Sequence, residues 1–158
     1  IKNILLAEMH KTKLFKKMIL QPRNNADVLR SWLEELEGFV ITKEQVVKEV
    51  DKYSEIITVK AVSEVTPAEY SDIDEASRLK DKMDIPSDFY FDIPALYLTD
   101  VNDTVIEYLN RRIAVTEYIA ESIKSKGQSE SSADQLREIE QKTGYIKQIL
   151  QEAQNVKS

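Results

Sequence analysis

The sequence predicts a mainly α protein of five or six helices, closed by a C-terminal antiparallel coiled-coil hairpin. Three observations carry that prediction. Apolar residues recur at alternating steps of three and four over most of the chain. Only 3 glycines and 4 prolines occur in 158 residues, too few turn-formers for an all-β sandwich. β-branched residues crowd into one stretch only, 56–62, which reads either as a helix continuing or as one short strand completed by another chain.

Taken in order, Ile1, Ile4, Leu5, Met9, Leu14, Phe15, Met18 and Ile19 form a stripe, interrupted by Glu8 and Lys11, that predicts a helix to about Leu20. Gln21-Pro22-Arg23-Asn24-Asn25 breaks it. Asn25 can cap the next helix, with Asp27 placed at its positive end. Val28, Leu29, Trp32, Leu33 and Leu36 then form an amphipathic face, and Gly38 supplies the stop. Thr42-Lys43-Glu44-Gln45 is a capping-box pattern, followed by Val46, Val50, Tyr53 and Ile57 at helical spacing. Thr66-Pro67-Ala68-Glu69 starts another helix, with Pro at its first position, and Asp84-Ile85-Pro86 ends it.

Residues 85–99 are aromatic but carry two prolines, and they read as an irregular packing segment. Beyond it, Ile106, Leu109, Ile113, Thr116, Ala120 and Ile123 keep heptad steps, as do Leu136, Ile139, Thr143, Ile146, Leu150 and Ala153. A second capping box, Ser132-Ala133-Asp134-Gln135, opens the last helix. Thr116, Ala120 and Thr143 weaken the seam between the two helices, so a third helix, from this chain or a partner, is expected against it. The organisation is thus a helical packing region over 1–99 and a hairpin over 100–158, with its connector at 124–132. The first residue is Ile, which reads as a segment of a longer polypeptide.

Composition narrows the chemistry. No cysteine is present, so disulfides, thiolate metal sites and a Cys nucleophile are excluded. The one histidine, His10, excludes a multi-His metal site, and Asp100, Asn102, Asp103 and Glu107 lack the spacing and glycine of a calcium loop. No Gly-rich phosphate loop and no Gly-x-Ser-x-Gly elbow occurs. The reading is therefore of a non-enzyme with no metal, no cofactor and no small-molecule substrate. No window approaches the roughly 18 apolar residues of a membrane helix, and the opening apolar run is too short for a signal peptide.

Charge is uneven. Residues 1–33 hold seven basic and two acidic residues, net +5, against −11 for the remainder. Lys13, Lys16 and Lys17 share one face of the first expected helix and, with Lys11, can neutralise phosphates. Only Phe15 lies near them for base stacking, so a nucleic-acid-binding helical module is the alternative reading rather than the first. Phe89, Tyr90 and Phe91 read equally as core or as an anchor docking into another subunit.

Two stretches carry a family resemblance. Residues 17–33, with Val28, Leu29, Trp32 and Leu33 after a polar break, and Ser87–Phe91 followed by Val105–Arg112, resemble the C-terminal region of SWIB-domain accessory subunits of SWI/SNF-class chromatin remodelling complexes. About 45 residues are covered; the SWIB domain itself is absent, and the arm from 124 onward has no counterpart. The resemblance implies a non-catalytic architectural subunit inside the cell, with the nucleus favoured over the cytoplasm, whose partners are other protein subunits. Its contact residues would be Val28, Leu29, Trp32, Leu33, Leu36, Phe89, Tyr90, Phe91, Ile106, Leu109, Ile113, Ile146 and Leu150.

Overall fold

A computed structural model of the chain describes residues 15–83, 85, 89–125 and 130–157. The chain divides after Asp100 into two compact units.

The first unit is built on a sheet. Strand β1 (Lys17–Leu20) is followed by helix α1 (Ala26–Glu34), strands β2 (Phe39–Glu49) and β3 (Lys52–Ala61), and helix α2 (Pro67–Lys82). Strand order is β1-β3-β2, antiparallel throughout, with Met18 opposite Val59 and Glu44 opposite Ile57. The register of β2 shifts between Ile41 and Lys43. Thr42 lies at that irregularity with its hydroxyl buried and no hydrogen-bond partner. Period-2 geometry sends Ile57 and Val59 to one face of β3. There they meet Met18 of β1 and Leu29 and Leu33 of α1 in one cluster, with Leu20, Trp32, Leu36, Phe39 and Ile41 packed around it. Gly38, at φ +81°, makes the turn from α1 into β2.

Helix α2 starts where its sequence says. The Thr66 hydroxyl accepts from the Glu69 backbone N–H, while the Glu69 carboxylate accepts from the Thr66 N–H at 2.9 Å. The same carboxylate pairs with Lys60 of β3 at 2.8 Å, which ties the sheet to the helix start. Lys60 and the Thr66 N–H hold Glu69 below the usual carboxylate range. Beyond α2, Phe89, Ile93, Ala95, Tyr97 and Leu98 are buried, and residues 95–98 form a 3-10 turn.

The second unit consists of α3 (Asp103–Ser125) and α4 (Glu130–Lys157). It buries Val105, Tyr108, Leu109, Ile113, Thr116 and Ala120 from α3, and Thr143, Tyr145, Ile146, Ile149 and Ala153 from α4. The Thr116 and Thr143 hydroxyls lie 2.8 Å apart across the pair, and each also reaches a carbonyl of its own helix.

The expected mainly helical, coiled-coil fold is corrected by this architecture, a mixed α/β fold with three strands and four α-helices among the described residues. The helix expected to run to Leu20 is a strand from Lys17 onward, and its earlier part lies outside the described residues. The capping box read at Thr42 is the middle of β2, and the stretch 56–62 is a strand to Ala61, flanked on both sides by strands of the same chain. The box read at Ser132 falls inside α4, which begins at Glu130. Asn25 precedes α1 in the left-handed region, at φ 50°, without a side-chain cap bond. The connector expected at 124–132 falls partly in helix, and 126–129 lie outside the described residues.

Candidate functional site

The first unit holds a cleft of about 260 Å³ between α1, the first half of β2, α2 and the segment 90–96. Leu33, Ile41, Ile73 and Ala76 make its aliphatic walls, Phe39, Tyr90 and Phe91 its aromatic ones; Arg30, Glu34, Glu44 and Lys80 bring charge.

Arg30 organises one side. It projects from the sheet-facing stripe of α1 and is 2% exposed. Its Nε donates to Glu44 of β2 at 2.7 Å and its Nη2 to Glu55 of β3 at 2.9 Å and to the Tyr97 hydroxyl at 3.4 Å. Its Nη1 donates to the carbonyls of Phe91 and Asp92 at 3.1 and 3.3 Å. All five guanidinium N–H groups are thus used, and one side chain joins α1, both long strands and the 89–98 segment. Burial opposes its charge, but Glu44, Glu55 and Tyr97 outweigh burial and hold the guanidinium above its ordinary range.

Burial pushes the Glu44 carboxyl up to about 7; Arg30 pulls the other way and Glu55 adds to the rise. Burial likewise lowers Lys80 to about 8, against the attraction of Glu34 and Glu44. The Lys80 ammonium rests over the Tyr90 ring, 3.0 Å from its centroid and 5.5 Å from that of Phe91. Among the described residues, no three acidic or histidine side chains converge where a metal ion would sit.

The sequence-derived candidates are distributed as follows. Leu29 and Leu33 are buried against the chain's own sheet, Trp32 and Leu36 are half-buried, and Val28 is exposed. Phe89 is buried, while Tyr90 and Phe91 line the cleft. Leu109, Ile113 and Ile146 are buried in the second unit, with Ile106 and Leu150 half-buried. Lys13 lies outside the described residues. Lys16 is exposed and pairs with Glu64 at 3.4 Å, and Lys17 lies in a strand, so the shared helical face expected of these lysines is not formed there. Sequence reasoning missed Arg30, Glu44, Glu55, Lys80 and Tyr97. The available signal was an arginine set between Leu29 and Leu33 on the apolar side of α1.

Comparison with known structures places this mixed α/β fold among methyltransferase structures. B. subtilis TrmK, an M1A22 tRNA methyltransferase, superposes with a TM-score of 0.68 at 21% identity, over 94% of this chain and 57% of that one. Streptococcus pneumoniae Sp1610, solved in complex with S-adenosyl-L-methionine, gives 0.64 at 21% identity, over 95% and 54%. An uncharacterised protein of Listeria monocytogenes serotype 4b gives 0.70 at 22% identity, over 95% and 57%. The chain therefore spans a little over half the length of the structures it matches. No curated protein matches it.

The family model for TrmK, tRNA (adenine(22)-N(1))-methyltransferase, matches residues 1–148, and the chain belongs to that family. This overturns the resemblance to SWIB-domain chromatin subunits, since both stretches that carried it lie inside the match. The expectations that rested on a non-catalytic remodelling scaffold fall with it: no enzyme, protein subunits as the partners, and no small-molecule substrate. The family is one of enzymes acting on tRNA.

Proposed function

We propose that this chain forms part of an enzyme that transfers a methyl group from S-adenosyl-L-methionine to N1 of adenine 22 in tRNA. The family match over residues 1–148 carries the reading. The donor is taken from the S. pneumoniae structure, which was solved with it bound.

The described residues do not fit the donor by themselves. Nucleosides in open α/β sheets sit at the carboxyl ends of parallel strands, over a Gly-rich turn leading into a helix. Here neighbouring strands are antiparallel, and the turns into α1 and α2, residues 21–25 and 62–66, contain no glycine. No described residue is assigned to the donor, and the proposal leaves its binding to other residues of the complete enzyme.

The test uses the complete protein containing this chain, methyl-labelled S-adenosyl-L-methionine and an unmodified tRNA transcript. Digestion and mass spectrometry are expected to find N1-methyladenosine at position 22, and none in a transcript carrying guanine there. A folded protein that leaves adenine 22 unmethylated overturns the proposal.

A further inference from the structure

Tyr90 and Phe91 are neighbours in sequence, yet their rings stand at 83° with centroids 5.0 Å apart, forming an aromatic corner. Both rings line the cleft. The Lys80 ammonium already sits in that corner. Ring faces attract cations through their quadrupole, more strongly once water is excluded. The charges acting on this ammonium are Glu34 and Arg30 from α1, Glu44 from β2 and Asp81 from its own helix. Arg30 is held in place by its five hydrogen bonds but keeps its charge, so an incoming cation meets the carboxylates of Glu34, Glu44 and Asp81 set against that one guanidinium. Tyr90 and Glu34 complete the wall from the 89–98 segment and α1.

We propose that this cleft is a binding site for a small alkylammonium ligand, best a quaternary one of the choline type, and that the Lys80 side chain is its built-in occupant. This proposal goes beyond methyl transfer and does not rest on it. At about 260 Å³ the cleft lies just under the usual range for ligand pockets, so the ligand is small. A quaternary ammonium keeps its charge at every pH and needs no hydrogen bonds, which suits walls made of rings and aliphatic side chains. Lys80 does neither: burial lowers it to about 8, and it vacates its charge above that pH. Glu44, pushed up to about 7, gains charge over the same range. Both changes favour an external cation as pH rises.

The probe is choline, titrated into the full chain by calorimetry or NMR between pH 6 and 9, beside its uncharged isostere 3,3-dimethylbutan-1-ol. Choline is expected to bind at least tenfold more tightly than the alcohol, with affinity rising as pH passes 8. K80M is expected to bind choline at least tenfold more tightly than the native chain at pH 7 and to lose the step near pH 8, keeping the one near 7. Y90L in the K80M background should reverse the gain. Equal affinity for choline and the alcohol overturns the proposal without any variant, as does a folded K80M that binds choline no better than the native chain.

Discussion

Arg30 places one cation against two carboxylates in the interior of the first unit, yet for Glu44 burial outweighs its pull. Its carboxyl is pushed from 4.5 to about 7, chiefly by burial. Because the folded value exceeds the unfolded one, the stability it contributes is fully present below pH 4.5. It is lost as pH climbs through 7. Glu44→Gln, which keeps an oxygen for Arg30 Nε but carries no charge, should flatten the pH dependence of urea unfolding over this window. A native chain whose stability is unchanged from pH 5 to 8 contradicts this. Arg30 also shows how a helix face is misread. The sequence reading gave Val28 to the buried side of α1 and passed over Arg30, yet Val28 is 51% exposed and Arg30 2%. Leu29, Arg30 and Leu33 are the true i, i+1, i+4 set facing the sheet. A charged residue is ordinarily placed in solvent, and only partners remote in sequence, Glu44 and Glu55, make its burial favourable.

At the level of elements, local signals succeeded where the chemistry was local. The Thr66–Glu69 box is self-contained in four residues, and α2 begins there in both sequence and structure. Strand β2 failed for the opposite reason. Its inward positions are Thr42, Glu44 and Val46, two of them polar, so the alternation expected of a strand was hidden. Val46, Val50, Tyr53 and Ile57 meanwhile imitate helical spacing while straddling a hairpin turn. At that turn Val50 is held at φ 54° and is 88% exposed. A β-branched side chain in the left-handed region is strained by about 1–2 kcal/mol. Val50→Gly should therefore stabilise the hairpin by about 0.5–1 kcal/mol after the entropic cost of glycine, read as a raised midpoint in thermal unfolding. A lowered midpoint would show that the turn is not strained.

On the scale of the whole chain, the sheet escaped detection because its pairings are remote. Four residues at 17–20 find their partners at 57–60, and no periodicity within β1 announces them. The cleft is assembled from four separated stretches, and of its lining the sequence singled out only Leu33, Tyr90 and Phe91 as contact residues. Strand β3 is bonded on both edges, and its Ile57 and Val59 are fully buried. The amides of β3 should thus exchange with deuterium most slowly in the first unit, well behind those of β1; equal rates would mean that the sheet opens as one body. The second unit gains its definition differently. Two long amphipathic helices with an all-hydrocarbon seam can slip by a heptad at little cost, because one greasy layer is much like the next. The facing hydroxyls of Thr116 and Thr143 act as a key in a slot: displaced along the axis, each would press against hydrocarbon and lose its counterpart, leaving a single alignment of the two rods.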